Sequence, residues 1–129
     1  MPEGVEKISP EFCQKEAFNY LKDKYGTAYV NKLNETERTH EEISVVIDCH
    51  KNEIYKLYKS LRNKNPRLEG KIVMALNISK EGSVSGAYVK ESEIDDKIFL
   101  EHMENLFMKF RFNEAVRKID TTFALEFLA

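Results

Sequence analysis

Three histidines and two cysteines are the side chains of this sequence that could bind a metal or act in catalysis. Cys49, His50 and Glu53 fall on one helical turn, which brings potential zinc ligands together. A zinc site needs three or four protein ligands at a recognisable spacing, and neither His40 nor His102 adds a second cluster. We therefore expect structural or surface roles for the histidines, no metal and no cofactor.

Nucleophilic catalysis by Cys49, with His50 as its base, is disfavoured by geometry. Adjacent residues of a helix point about 100° apart, so the thiol and the imidazole would not converge. The paired carboxylates of Asp95 and Asp96 suit the positive end of a following helix. The chain also has no GxSxG, HExxH or phosphate-binding glycine loop. We expect a protein that is not an enzyme.

The bulk composition is that of a soluble globular protein, and the length fits one domain with room for a small appendage. Of its 129 residues, 42% are hydrophobic and 33% are charged. A net charge of −2 gives no reason to expect nucleic acid. We find no run near the ~18 apolar residues of a membrane span and no signal-peptide layout. The protein is then either cytoplasmic or a fragment given without its targeting segment.

Cys13 and Cys49 lack CxxC spacing. They could pair in an oxidising compartment, or remain thiols in a reducing one. The free-thiol interpretation is favoured, because neither cysteine is needed to explain the fold.

Signals for helix ends divide the chain into an N-terminal helix and two amphipathic helices. Ser9-Pro10-Glu11 begins the first helix, which Gly26 ends. Thr39-His40-Glu41-Glu42 is a capping box that begins a second helix, and Asn65-Pro66 ends it. Its apolar face carries Ile43, Ile47, Ile54, Leu57 and Leu61, with His50 in the remaining position. Glu93, Asp95 and Asp96 open a third helix, whose apolar stripe is Ile98, Phe99, Met103, Leu106, Phe107 and Phe110.

Three strands complete the pattern. Ile72 to Ile78 alternates strictly, a turn at Gly82 follows, and the next strand slips out of step at Gly86, where we predict a bulge. The last strand covers residues 119–127. The order predicts an α+β fold, in which two helices cover one face of a three-stranded antiparallel sheet. We assign residues 1–37 to an N-terminal helical extension and residues 38–129 to the main domain.

Five features of the main domain follow one another along the chain: the Tyr-rich stretch 54–58, Asn65-Pro66, Gly70-Lys71 at the start of the alternating strand, the Gly82 turn, and Phe110-Arg111-Phe112 after the last helix. Together they resemble the TonB C-terminal domain family, in the branch found in cell-envelope proteins of gliding bacteria. Phe110 stands where that family has tryptophan, and Leu57 and His102 stand where the branch often has a cysteine pair. We expect Phe110 or Phe112 to be exposed.

The resemblance implies a periplasmic adaptor domain, with a cytoplasmic location as the alternative. Its partner would be a segment of an inner- or outer-membrane protein, within an energy-transducing, motility or transport complex. Family members pair an exposed strand edge with such a segment, through main-chain hydrogen bonds. We expect the last strand to provide this edge, with the partner facing Asp120, Thr122, Ala124 and Glu126. The rival function is a stand-alone soluble protein of the same fold, used for self-assembly as a homo-oligomer or for small-ligand binding.

A basic stretch lies at the end of the second helix. Cations there suit the negative end of the helix dipole, so a solvated helix end explains them simply. The alternative is a docking patch for an acidic partner or an anionic envelope polymer. The residues in question are Lys56, Lys59, Arg62 and Lys64.

Overall fold

A computed structural model describes residues 8–128. Residues 1–7, where the sequence predicts no signal peptide, lie outside that range, as does Ala129. The helices are α1 (Pro10–Tyr25), α2 (Thr27–Val30), α3 (His40–Cys49), α4 (Lys51–Arg62) and α5 (Lys97–Met108), with a short 3-10 turn at Leu33–Glu35. The strands are β1 (Gly70–Ile78), β2 (Val84–Ser92) and β3 (Ile119–Phe127).

The three strands form one antiparallel sheet in the order β2-β1-β3. β1 and β3 pair without a break, from Gly70 opposite Phe127 to Ile78 opposite Ile119. One face of β1 is fully buried and carries Ile72, Met74, Leu76 and Ile78. Helices pack against that face, whereas on the opposite face of β1 Lys71 is exposed and Val73 and Asn77 are half-buried. The predicted α+β fold with a three-stranded antiparallel sheet is confirmed.

The predicted irregularity in β2 is also confirmed. Asn77 pairs with Gly86 and Ile78 pairs with Val84, so Ser85 is the extra residue of a bulge. A side chain at position 86 would not fit, because a Cβ there would lie 2.5 Å from the Asn77 Oδ1. A second break in register, near Lys90, was not predicted.

The predicted second helix is divided in the structure. His50 separates α3 from α4, and its N–H group is shared between the carbonyl groups of Val46 (3.3 Å) and Ile47 (3.0 Å). This tightened turn ends α3, although no Pro or Gly marks the position. The His50 ring stacks on Phe110, with 4.1 Å between ring centroids, so tertiary packing holds the break in place. The expectation of one continuous helix was wrong.

The segment after α5 turns into the core. Phe110 and Phe112 are both buried, so the expectation that one of them is exposed was wrong. Phe110 packs against His50, and the Phe112 N–H donates to the Gly82 carbonyl at 2.8 Å. Of the apolar stripe predicted for α5, Phe99, Met103 and Phe107 are buried, whereas Ile98 is 64% exposed.

A disulfide joins α1 to the end of α3, with 5.7 Å between the Cα atoms of Cys13 and Cys49. The free-thiol interpretation was therefore wrong. The buried face of α1 carries Cys13, Ala17 and Leu21 at four-residue steps, which turns Cys13 toward α3 and within bonding distance of Cys49. Cys13 and Ala17 belong to the same core cluster as the sheet, so α1 packs directly on the main domain.

Candidate functional site

The outer edge of β3 presents its backbone polar groups away from the sheet. In an antiparallel pair, the N–H and C=O groups of one residue point to the same side, and successive residues alternate. The Lys71 N–H donates to the Glu93 carboxylate, and the Lys71 carbonyl accepts from the Glu93 N–H, each at 2.8 Å. Glu93 directly follows β2, so both backbone groups of Lys71 point toward β2 and away from β3. The partner of Lys71 across the sheet, Glu126, therefore points outward, and the Glu126 carbonyl accepts from the Tyr55 hydroxyl at 3.2 Å. By alternation, the outward-pointing residues are Asp120, Thr122, Ala124 and Glu126, the four positions expected to face a partner.

Most of this edge is unoccupied by the part of the chain that the structure describes. Within residues 8–128, no strand lies beyond β3, and the Tyr55 hydroxyl is the one group that bonds to an outward backbone atom of the four residues. The Asp120 side chain is engaged separately, because its Oδ1 accepts from Asn77 Nδ2 at 2.7 Å. Thr122 and Ala124 are exposed. The edge can therefore accept and donate main-chain hydrogen bonds over its central part.

The residues of β3 itself do little to prevent such pairing. Natural edge strands are commonly protected by charges, prolines, bulges or a covering element. Between Thr121 and Leu125, β3 has no charged residue and no proline, and its register with β1 is unbroken. β2 has two register breaks, and Glu104 of α5 accepts from the Val89 N–H at 2.9 Å. β3 is thus the less protected of the two edges.

A groove of about 360 Å³ runs beside β3, on the side of the sheet that the helices cover. Ile47, Ile54 and Tyr55 line it from α3 and α4, and Leu125 and Leu128 line it from the strand end. Asp48 and Lys51 add one charge of each sign. An arriving strand would place every second side chain in this groove, which favours apolar side chains at those positions.

The basic residues do not join this site. Lys56, Lys59 and Arg62 follow one another at three-residue steps along α4, and Lys64 comes just after the helix. Lys59 and Arg62 lie in the last turn, where they complement the helix dipole. None of the four lines the groove beside β3. A solvated helix end accounts for their placement, and docking of an anionic polymer on them stays a prediction.

Among the motif positions, Asn65 and Pro66 form the connection that follows α4. The Asn65 side chain accepts from the Arg67 N–H at 3.2 Å, and its Nδ2 donates to Asp96 at 3.1 Å. Asp96 is the N-cap of α5 and accepts from the Phe99 N–H at 3.0 Å. This network ties the end of α4 to the start of α5. Pro66 itself is exposed.

The glycines of the motif permit backbone that other residues rarely adopt. Gly70 has φ +133° and Gly82 has φ +100°. Lys71 is exposed beside the first of them. Near the second, Arg111 is exposed and forms an isolated bridge with Ser83. Like Phe110 and Phe112, these positions build the scaffold and do not lie on the β3 edge.

A buried polar cluster was not predicted. Arg38 donates to the carbonyl groups of Asn113 (2.6 Å) and Ser79 (3.2 Å), and the Glu42 carboxylate accepts from the Asn113 N–H at 3.0 Å. Burial raises the pKa of Glu42 and lowers the pKa of Arg38. The sequence placed residue 38 at the start of the main domain and Glu42 in a capping box, with no signal that the two side chains would meet. The Thr39 hydroxyl does accept from the Glu42 N–H at 3.1 Å, but the Glu42 carboxylate is used in the cluster.

We find no metal centre in the part of the chain between residues 8 and 128. No group of three or more His, Cys, Asp or Glu side chains lies close enough there to hold an ion. In the same range, no helix is both long and apolar enough to cross a membrane. Comparison with protein-family models, curated proteins and solved structures found no match to this chain.

An exposed carboxylate at the start of α3 accepts three side-chain hydrogen bonds from α1. Glu41 is bonded by Lys24 and by the hydroxyl groups of Tyr25 (2.7 Å) and Tyr20 (3.1 Å). The bond from Lys24, followed by those from the tyrosines, lowers the pKa of Glu41 to about 2. A carboxylate with a depressed pKa in the folded state stabilises the fold above its ordinary pKa, and this effect is lost as the pH falls toward 2.

The Glu41→Gln substitution should reveal that dependence. We expect the variant to unfold at a lower urea concentration than the wild type at pH 6, and the difference to shrink between pH 4.5 and pH 2. The exposed Glu101 of α5, changed to Gln, is the matched control. Urea unfolding followed by circular dichroism at four pH values measures the effect, which should also weaken in high salt. A pH-independent difference would contradict the role given to Glu41.

Proposed function

We propose that this protein is a non-enzymatic adaptor that binds a segment of a partner protein by strand addition at the outer edge of β3. The observation that carries the proposal is the row of outward backbone groups at Thr122 and Ala124, beside a groove lined by apolar side chains. Main-chain hydrogen bonds would supply affinity, and the groove would select alternate side chains. The resemblance to the TonB C-terminal domain family supports the same mode and suggests an envelope-protein segment as the partner.

The disulfide supports a periplasmic or other extracytoplasmic location. Disulfides form and persist in oxidising compartments and are rare where thiols are kept reduced. Cys13 is fully buried, and its bond to Cys49 connects two helices that pack together. An adaptor in the envelope would work in such a compartment, and the Cys13–Cys49 bond is the feature of this fold that links it to that setting.

The Ala124→Pro substitution tests strand addition. Proline removes the outward N–H of residue 124 without removing a bond between β3 and β1, so an edge position should tolerate it. We expect backbone amide shifts at Thr122 and Ala124 when the wild-type protein is titrated with synthetic peptides from periplasmic segments of envelope proteins. Affinity should fall at least about tenfold in Ala124→Pro, since a main-chain bond and the close approach of the partner are lost.

The matched control is Ala124→Val, which keeps the N–H and favours a strand. It should bind the peptides with nearly wild-type affinity. Circular dichroism melts of both variants establish that they are folded. If no peptide perturbs the amides of residues 119–128, or if Ala124→Pro binds as well as Ala124→Val, strand addition at β3 is wrong.

The second candidate function is self-assembly through the same edge. Two copies could pair β3 with β3, because a two-fold axis brings identical antiparallel edges together. The unbroken, uncharged central part of β3 favours this candidate as well. Sedimentation of the wild-type protein and of Ala124→Pro decides between them: a dimer that the proline variant loses indicates self-assembly.

A further inference from the structure

A second and larger groove lies away from the β3 edge, between the start of α1 and the helices α4 and α5. Its volume is about 620 Å³, within the range of ordinary small-molecule sites. The apolar residues of its lining are Ile8 and Pro10 at the start of α1, Leu57 of α4, Leu106 of α5, and Phe110. The lining is mainly apolar, so water gains little from filling it and an apolar group would bind there favourably.

His50 belongs to the lining of this groove and is nearly fully buried. Its ring lies flat against Phe110, and its Nδ1 is 2.7 Å from the Glu53 Oε1. The other ring nitrogen, Nε2, has no hydrogen-bond partner among residues 8–128. Buried polar atoms are usually paired, and this unpaired nitrogen is itself shielded from solvent, so His50 contributes its ring surface and not a hydrogen bond to the groove.

The charged groups around the groove are mostly basic. Lys56 of α4 and Lys109, which follows α5, both line it and are exposed. Glu53 is the one carboxylate in the lining, and it is engaged by His50. Lysine side chains can lie along an apolar surface while their ammonium groups remain in water. The groove therefore combines an apolar interior with two ammonium groups at its border.

We propose that this groove binds an amphipathic anion, with one apolar chain or ring inside and one carboxylate or sulfonate group between Lys56 and Lys109. The apolar lining accounts for the first part of such a ligand, and charge complementarity accounts for the second. This site is spatially separate from the β3 edge, because the two grooves share no lining residue.

Fluorescence displacement tests the proposal on the full chain. The probe is 8-anilinonaphthalene-1-sulfonate, which carries both an apolar ring system and an anionic group. Decanoate should displace it at a concentration at least tenfold lower than decyltrimethylammonium, which has a similar chain and the opposite charge. Methyl signals of Leu57 and Leu106 should shift on addition of decanoate. Equal displacement by the two chains, or shifts confined to other parts of the protein, would overturn the proposal.

Charge-reversal variants supply the second arm. The double change Lys56→Glu and Lys109→Glu should raise the Kd for the probe at least tenfold. The control is Lys59→Glu with Lys64→Glu, which makes the same change of charge outside the lining and should alter the Kd less than twofold. Neutral Lys56→Gln with Lys109→Gln should give an intermediate loss. Thermal melts establish that each variant is folded, and equal losses in the reversal pair and its control would refute the assigned site.

Discussion

Replacing Cys13 and Cys49 with alanine is expected to lower the free energy of unfolding by about 4 kcal/mol. The disulfide closes a loop across a sequence separation of 36, and the chain-entropy model assigns about that stabilisation to a loop of such length. For a chain of this size, the midpoint of thermal unfolding should fall by roughly 10–15 °C. Alanine is the better replacement, because serine would bury a hydroxyl group at the fully buried position 13.

The wild-type protein provides its own control for this prediction. Under a reducing agent it should unfold near the midpoint of the double alanine variant, whereas the variant itself should not respond to the reductant. Thermal melts followed by circular dichroism measure all four conditions. A wild-type midpoint that is insensitive to reductant would mean that the thiols are not paired in solution, and it would remove the support for an oxidising compartment.

The Gly82→Ala substitution should be about as damaging, with a loss of about 4 kcal/mol. Gly82 has φ +100°, which alanine adopts only with strain. A Cβ at this position would also lie 2.0 Å from the Phe112 carbonyl oxygen, so backbone must move. The Phe112 N–H donates to the Gly82 carbonyl at 2.8 Å, and that bond would be disturbed as well. The hairpin turn would separate from the segment that follows α5.

The Gly26→Ala substitution separates the cost of backbone strain from the cost of the close contact with Phe112. Gly26 has φ +94°, but a Cβ there would meet no atom within 4 Å. This variant should suffer the backbone strain alone, at about 2 kcal/mol. Urea unfolding of both variants therefore measures the cost of the contact with Phe112 as the difference between them. Equal losses would show that the close approach at Gly82 relaxes without cost.

Local rules predicted the three strands and most of the helix ends from the sequence, but not the end of α3 at His50. Ser9 and Asp96 cap helices through side chains that accept from the amides of the first turn, and such caps depend on near neighbours alone. The alternation of β1 also predicted which of its residues face the helices. The outward positions of β3 followed from the same period of two, once the strand was placed at an edge.

The errors concern contacts between residues far apart in the chain. The break at His50 depends on Phe110, and the pairing of Cys13 depends on which face of α1 meets α3. The cluster of Arg38, Glu42 and Asn113 joins three separate segments and has no short motif. Neither groove was predicted, because each lies between several helices or strands. The periodicity of a single element does not show how that element is placed relative to the others.

The joint between α3 and α4 has a consequence for the two grooves. Asp48 and Lys51 line the groove beside β3, and His50 and Glu53 line the groove beside α5, so four nearly consecutive residues alternate between them. An occupant of either groove that shifts this joint changes the shape of the other. Thermodynamic linkage then requires the effect to be mutual. If a bound anion changes the Kd for a peptide by a certain factor, the bound peptide changes the Kd for the anion by the same factor.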